Sequence, residues 1–201
     1  MIAIVDYGMG NLRSVAKALE YVGAEPTVTS DPTVVAAADA VVLPGQGAFG
    51  AAMQRLDEQG MTQAVVDSIA AGKPYLGICL GLQVLFESSE EAPGVNGFGL
   101  LAGTVDRFET DLKVPHMGWN QLVHNKPTPH FRTLDPEDYV YFVHSYYVAP
   151  TDRSVIAAET DYDLRFTSAV HADNMCAMQF HPEKSQRVGL GILESFAEMT
   201  R

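Results

Sequence analysis

The sequence predicts an α/β fold, with a mainly parallel central sheet flanked by helices and an antiparallel extension. In the first half of the chain, short apolar runs alternate with segments whose apolar residues recur at helical spacing. These runs are apolar throughout, as parallel strands are when helices cover both faces of a sheet. After residue 91 short strand-like runs dominate. The length of 201 residues fits one domain that spans residues 1–201.

Each element of the first half has its own signal. Residues 1–5 form an apolar strand, and Val15, Leu19 and Val22 mark the inner face of a helix at 12–22. A weak strand at 25–29 leads into a short helical link that starts at the Ser-Asp-Pro of residues 30–32. The remaining elements of this half are a strand at 40–43, a mostly helical segment at 51–71, a strand at 75–78 and a helix at 80–87.

The second half is predicted to be mainly antiparallel, because Ala-Pro-Gly at 92–94 breaks the earlier pattern. Strands are predicted at 103–108, 139–143, 154–158 and 175–180, and an amphipathic helix at 189–199 closes the chain. The segment 115–120 is predicted to be a loop, because it is too polar for the core. Its Trp119, the lone tryptophan, is interpreted equally well as partly buried or as a partner contact.

The composition excludes several classes of protein. With 47% apolar and 19% charged residues, the sequence is that of a folded domain rather than a disordered chain. A net charge of -12 argues against a nucleic-acid or anionic-membrane partner. Neither a signal peptide nor a membrane-spanning run is recognisable, which predicts a cytoplasmic protein. Two cysteines without metal-ligand spacing predict no disulfide framework and no metal site.

Cys79 is the candidate nucleophile, because it stands where an apolar strand runs into a helix. Gly77 and Gly81 flank it in a Gly-x-Cys-x-Gly pattern, the cysteine counterpart of the Gly-x-Ser-x-Gly nucleophile elbow. A helix start favours a thiolate over a thiol, and its free N–H groups can bind a developing oxyanion. The alternative, a buried structural cysteine at a strand end, is equally compatible with this motif alone.

Two glycine-containing loops are predicted at the same edge of the sheet as Cys79. The loop at residues 6–11 is similar to the start of a dinucleotide-binding Gly-x-Gly-x-x-Gly loop, with Asp31 at about the expected later distance. Arg13 stands where the third glycine belongs, so a plain tight turn is the favoured interpretation. The Pro-Gly-Gln-Gly loop at 44–47 can turn backbone N–H groups toward a ligand, and it can equally be a flexible turn.

His181 is the best candidate base for Cys79, because it follows an apolar strand directly. Pro182 fixes the turn after it, and Glu183 stands two residues on. A rigid His-Pro-Glu turn can present an imidazole to a thiol and a carboxylate to that imidazole. A salt-bridged surface loop would explain the same three residues, and His144 is a rival base.

The Gly-Ile-Cys-Leu-Gly-Leu-Gln of residues 77–83, followed about a hundred residues later by His-Pro-Glu at 181–183, closely resembles the class I glutamine amidotransferases, and the resemblance covers the whole chain. Four further stretches resemble one branch of that family, the glutaminase subunits of imidazole glycerol phosphate synthases. They are residues 6–12, 115–120, 144–147 and 181–185.

The resemblance implies a reaction and a partner. Glutamine is hydrolysed by a Cys-His-Glu triad of Cys79, His181 and Glu183, and the ammonia passes to a separate cyclase subunit with a (β/α)₈ barrel fold. No cofactor is implied. The other residues implied by the resemblance are Gly45, Gln46 and Leu80 for the oxyanion hole, Gln83, Glu91 and Ser145 for binding glutamine, and Asn11, Trp119, Tyr141 and Lys184 for the subunit interface.

One position departs from the family pattern and three functional alternatives stay open. Gln46 stands where an aliphatic residue is expected in many family members, so the ease with which this loop reorients is in doubt. A stand-alone cysteine hydrolase would need no partner. An amidotransferase subunit could serve another acceptor, and a non-catalytic interaction protein would carry an unreactive Cys79.

Overall fold

A long mixed sheet forms the centre of the protein in the computed structural model, which describes residues 1–200. The strands are β1 Ile2–Val5, β2 Pro26–Thr29, β3 Ala40–Gly45, β4 Tyr75–Cys79, β5 Ser88–Ser89, β6 Gly103–Arg107, β7 His116–Gln121, β8 Val123–His124, β9 Tyr139–His144, β10 Tyr146–Pro150, β11 Ile156–Tyr162, β12 Leu164–Ala172 and β13 Met175–Met178. The helices are α1 Leu12–Tyr21, α2 Pro32–Ala37, α3 Phe49–Glu58, α4 Met61–Ala70, α5 Leu80–Gln83 and α6 Gln186–Glu198.

The strand order of the main sheet is β2-β1-β3-β4-β13-β12-β10-β6-β5. The pairs from β2 to β13 are all parallel, and the antiparallel pairing starts where β12 joins β13. Two short additions lie beside this path: β11 pairs with β12 and β8, and β7 with β9 forms a separate antiparallel ribbon. The predicted fold class, a mainly parallel sheet with an antiparallel extension, is confirmed.

Helices cover the two faces of the parallel strands, and each face has its own apolar core. Alternate residues of a strand point to opposite faces, so Ala3 and Val5 of β1 pack with α2, α3 and α4, whereas Ile2 and Ile4 pack with α1 and α6. Burial on both faces explains why these strands are apolar without interruption. Among residues 1–200, no helix is both long enough and apolar enough to cross a membrane.

The helix predicted at 80–87 is wrong in length, because α5 makes only one turn. Beyond it, the backbone oxygens of Val84, Leu85 and Phe86 accept hydrogen bonds from the segment 98–101 instead of continuing a helix. Tertiary pairing therefore overrides the helical spacing of the sequence. One turn aligns few peptide dipoles, so the expected dipole effect on Cys79 is small and only the free N–H groups of the turn remain.

Three further sequence predictions differ from the structure. The segment 115–120, predicted as a loop, lies mostly in strand β7, whose partner β9 satisfies its backbone groups. The helical segment 51–71 is two helices, because Gly60 adopts a left-handed conformation with a φ of 70° between α3 and α4. The strands β10 and β12 were not predicted, although they carry most of the antiparallel extension.

Candidate active site

The turn at Cys79 has the shape of a nucleophile elbow. Cys79 has a φ of 55° and a ψ of -104°, a strained conformation for a residue with a side chain. Both flanking glycines are required by close backbone contacts. A Cβ on Gly81 would lie 1.9 Å from the backbone oxygen of Leu43, and one on Gly77 would lie 2.5 Å from the oxygen of Gly81. The elbow is therefore held against β3 by contacts that no larger residue permits.

Three adjacent parallel strands bring the main candidates to one edge of the sheet. Cys79 ends β4, Gly45 ends β3 directly opposite it, and His181 follows β13 on the other side of β4. The carboxyl ends of parallel strands meet at the same edge, where ligands of open α/β sheets bind. Residues from three distant parts of the sequence thus lie around one sulfur atom.

His181 and Glu183 form a buried ion pair. The Nδ1 of His181 and the Oε1 of Glu183 are 2.9 Å apart, and both side chains are 1% exposed. Pro182 starts a short 3-10 turn, Pro182–Lys184, that places the two side chains together. The hydroxyl of Ser185 donates to the backbone oxygen of His181 at 2.7 Å, which fixes the same turn from behind.

The pKa of His181 is raised to about 9. Burial alone lowers the pKa of an imidazole, and here the interactions with Cys79 and with Glu183 outweigh that effect. The Nε2 atom of His181 has no hydrogen-bond partner of normal geometry within residues 1–200, although Cys79 is close enough to raise the pKa of the ring. Catalytic hydrogen bonds are often long before substrate binds. At neutral pH His181 is therefore an imidazolium ready to give a proton.

His144 lies at the same cavity but does not have a free nitrogen for Cys79. Its Nδ1 donates to the backbone oxygen of Tyr146 at 2.8 Å, and its Nε2 is 3.0 Å from the Nδ1 of His116. Burial is the main cause that lowers the pKa of His144 to about 3, so the ring is neutral. Of the two predicted bases, only His181 can hold a proton for the nucleophile at neutral pH.

A cavity of about 440 Å³ opens over Cys79 and is large enough for an amino acid. Its wall consists of Gln46, Gly47, Cys79, Leu80, Gln83, Glu91, Pro115, Tyr141, Val143, His144, Ser145, Tyr146, His181 and Lys184. Most of the sequence-derived site residues therefore share one space. Glu183 stands behind His181 and does not line this cavity, nor do Gly45, Asn11 and Trp119.

The three residues implied for glutamine binding are held differently. Glu91 accepts a hydrogen bond from the backbone N–H of Phe49 at 2.7 Å, which ties it to the first residue of α3. Gln83 is buried and donates to Tyr146 and to Gln179. Ser145 lines the cavity and accepts a backbone bond from Phe108 through its main-chain oxygen, while its hydroxyl has no partner in the hydrogen bonds of residues 1–200.

The loop implied for the oxyanion hole packs tightly against its neighbours. A Cβ on Gly45 would lie 2.3 Å from the phenol oxygen of Tyr7 and 2.6 Å from the Cβ of Leu80. Tyr7 is buried, and burial together with the charge of Cys79 raises its pKa far above the ordinary value. Sequence reasoning missed Tyr7. The signals were its place in the stretch 6–12 and its position directly after β1, a strand that pairs with β3.

Gln179 is a second residue that sequence reasoning missed. Its buried side chain donates to the sulfur of Cys79. It precedes His181 by two positions at the end of β13, so the period-2 alternation of strand side chains could have pointed to it. The residues of the site contain no metal centre: among residues 1–200, no three histidine, cysteine or acidic side chains are grouped to hold an ion.

An aromatic patch lies beside the cavity mouth. Trp119 of β7 is 46% exposed, and its ring is 5.8 Å from the ring of Tyr141 on β9. The Nζ of Lys184 lies 5.8 Å from the centre of the Tyr141 ring. Asn11 precedes α1 and is half-buried, without a side-chain hydrogen bond to that helix. Three of the four implied interface residues thus form one continuous surface.

Comparison with known proteins gives a family. The family model described as glutamine amidotransferase class-I matches residues 3–198. A protein from Syntrophotalea carbinolica, named imidazole glycerol phosphate synthase subunit HisH, is 53% identical over 206 residues, which cover 99% of this chain and 100% of the relative. The protein of the same name from Methanothermobacter thermautotrophicus is 52% identical over 201 residues and 100% of both chains.

Solved structures share the fold at low sequence identity. A crystal structure of a glutamine amidotransferase has a TM-score of 0.78 at 19% identity and covers 100% of this chain and 99% of its own. The structure of PurLQS from Thermotoga maritima has a TM-score of 0.76 at 18% identity and covers 100% of this chain and 98% of its own. These likenesses concern the arrangement of strands and helices alone.

Proposed function

The chain belongs to the class-I glutamine amidotransferase family, and we propose that it is the glutaminase subunit of an imidazole glycerol phosphate synthase. Full-length relatives at 52–53% identity carry that name, and the cavity over Cys79 suits glutamine. One observation carries the proposed chemistry: a strained cysteine lies next to a buried histidine that pairs with a buried carboxylate.

The proposed reaction starts with attack of the Cys79 sulfur on the side-chain amide carbon of glutamine. The imidazolium of His181 gives its proton to the amide nitrogen, and the C–N bond breaks to leave ammonia and a thioester. The neutral imidazole then takes a proton from water, whose oxygen attacks the thioester carbon. Glutamate leaves, and the thiolate and imidazolium are restored.

Glu183 stabilises the imidazolium that the first step consumes and the second step forms again, and it fixes the ring through the Nδ1 bond. The oxyanion of each tetrahedral intermediate is proposed to lie against the N–H of Leu80 and the backbone of the loop at Gly45 and Gln46. Backbone donors of this kind act strongly because they are already aligned before the reaction.

The proposed binding of glutamine uses the polar groups of the cavity. The carboxylate of Glu91 suits the substrate ammonium group, and the free hydroxyl of Ser145 suits its carboxylate. Gln83 forms the floor beside the sulfur. Each of these groups already lies at the cavity wall, so substrate binding requires little rearrangement.

The proposed partner is a cyclase subunit with a (β/α)₈ barrel, which receives the ammonia in histidine biosynthesis in the cytoplasm. The proposed contact surface consists of the aromatic patch of Trp119 and Tyr141 together with Lys184. Asn11, at the end of the loop after β1, is the fourth proposed contact. An exposed tryptophan next to a tyrosine is typical of interfaces, where aromatic residues are enriched.

The test is reconstitution of the subunit with a cyclase barrel. Cys79→Ala should abolish glutamine-dependent product formation and leave ammonia-dependent formation intact, because the acceptor chemistry belongs to the other subunit. Cys176→Ala is the matched control, since Cys176 is buried in β13 and away from the cavity. Turnover of glutamine without any partner would favour a stand-alone hydrolase, and failure of Cys79 to react with glutamine analogues would favour a non-catalytic protein.

A further inference from the structure

Gln179 lies behind the nucleophile and is not part of the cavity wall. Its side chain is fully buried, and its Nε2 donates a hydrogen bond to the Sγ of Cys79 at 3.4 Å. That length is normal for sulfur, which is larger than oxygen. We propose that Gln179 is a dedicated hydrogen-bond donor that stabilises the Cys79 thiolate and orients its sulfur for attack on glutamine.

The direction of this hydrogen bond is set by the neighbours of Gln179. An amide can face a neighbour with its nitrogen or its oxygen, so the assignment needs an independent reference. The backbone oxygen of Tyr146 supplies one, because a carbonyl only accepts. Gln83 lies with its Nε2 3.3 Å from that oxygen and 3.0 Å from the Oε1 of Gln179.

The nitrogen end of Gln83 must therefore face both acceptors. Gln179 has to accept through its Oε1, which leaves its Nε2 facing the sulfur of Cys79. The Nδ1 of His144 also donates to the oxygen of Tyr146, so that oxygen accepts from both neighbours. The donor and acceptor ends of both amides are therefore fixed by the oxygen of Tyr146. As a result, the group that faces the sulfur of Cys79 is an N–H donor.

The surroundings increase the effect of this donor. Gln179 is 0% exposed and Cys79 is 8% exposed, so the bond lies largely out of water, where a charged acceptor gains most. The backbone N–H of Gln179 donates to the oxygen of Ser168 at 2.8 Å, which fixes the residue itself. A buried glutamine that only filled space would be replaceable by an apolar residue of the same volume.

This inference rests on the proposed function only for the identity of the substrate. The ionisation of the thiol is measurable without glutamine or a partner, through the rate at which iodoacetamide alkylates Cys79 at different pH values. Gln179→Met keeps the volume and removes the donor, and Gln179→Glu replaces the donor by a carboxylate. Met178→Leu is the control, because it alters the packing of β13 without touching a hydrogen bond.

We expect Gln179→Met to raise the pH midpoint of alkylation by about one unit, because a hydrogen bond to a charged group shifts an ionisation by roughly that amount. Gln179→Glu should raise it further, since it adds a negative charge beside the thiolate. In the complex, Gln179→Met should lower kcat for glutamine about tenfold with little change in KM. Met178→Leu should leave the midpoint unchanged.

Midpoints of both Gln179 variants within about 0.3 units of the wild-type value would overturn the proposal, because that is below the effect of one charged hydrogen bond. If the wild-type complex does not hydrolyse glutamine, the proposed function fails while the alkylation curves still decide the role of Gln179. Should neither variant fold, the side-chain amide resonance of Gln179 in the wild-type protein must move with the alkylation midpoint. An amide resonance that does not move across that pH range overturns the inference.

Discussion

Replacing Glu183 by glutamine tests whether the buried carboxylate is what keeps His181 protonated. The substitution is nearly isosteric, and the amide oxygen can still accept from Nδ1, so geometry is kept while the negative charge is lost. The pKa of His181 is raised from its ordinary value to about 9, which corresponds to a net preference of about 3 kcal/mol for the imidazolium. Burial opposes this preference, so the charged partners supply more than the net amount.

Cys79 and Glu183 share this stabilisation, and we expect Glu183→Gln to lower the pKa of His181 by about one to two units. The glutaminase rate should then fall by no more than about twofold at pH 7 but by about 5- to 50-fold at pH 9, because little imidazolium is left at the higher pH to protonate the leaving amide nitrogen. His181→Ala should be worse, since it removes the proton carrier itself. The measurements are an NMR titration of the His181 ring and turnover of glutamine in the complex.

The exposed pair of Gln54 and Glu58 on α3 provides the control, because Glu58→Gln removes a carboxylate far from the site. A His181 pKa that stays near 9 in Glu183→Gln would refute the electrostatic argument. A larger loss of glutaminase activity in Glu183→Gln than in His181→Ala would also refute it, since the carboxylate acts only through the ring.

Three further predictions follow from the same structure. Burial holds the pKa of His144 at about 3, below its unfolded value, so its contribution to stability is complete above about pH 6.5 and is lost as the pH falls. In urea unfolding, His144→Gln should reduce the slope of unfolding free energy against pH by about 1.4 kcal/mol per pH unit between about pH 6 and 4. Equal slopes for the variant and the wild-type protein would contradict this. Gly81→Ala should destabilise the fold by about 2 kcal/mol or more and abolish turnover, because its Cβ would meet the Leu43 backbone. Gly72→Ala has open space around it but a φ of 81°, so it should cost about 1 to 2 kcal/mol of stability and keep the activity. Lys184→Ala should weaken stimulation by the cyclase barrel while changing the unfolding free energy by less than about 0.5 kcal/mol; normal stimulation would argue against the proposed interface.

The fold class was predictable from the sequence because parallel strands buried on both faces leave an uninterrupted apolar signal, as in β3 and β4. The antiparallel half was harder. Strand β12 begins with Leu164, Arg165 and Phe166 and ends partly exposed, so its alternation changes along its length. The segment of β7 contains histidine, glycine and tryptophan, and only its pairing with β9 makes it a strand.

The predicted triad residues lie together because motifs at strand ends are informative about the edge of a parallel sheet. The sequence could not give the contacts that depend on side chains from separate strands. Gln179 and Tyr7 reach Cys79 and Gly45 only through the strand order, and although Tyr7 lies in the stretch 6–12, that stretch does not show which side chain it meets. The tie between Glu91 and the start of α3 was hidden for the same reason.

The position of β13 has a consequence for how the protein is made. This strand is near the end of the chain but in the middle of the sheet, between β4 and β12. It pairs with β4 across a sequence separation of about a hundred residues, a long-range contact of the kind that folds slowly. A nascent chain that has emerged only as far as β12 contains Cys79 but not His181. The strands that β13 will join, β4 and β12, are not yet connected in one sheet. In the proposed mechanism the protein therefore gains its reactivity toward glutamine only when β13 inserts between β4 and β12, because His181 follows that strand.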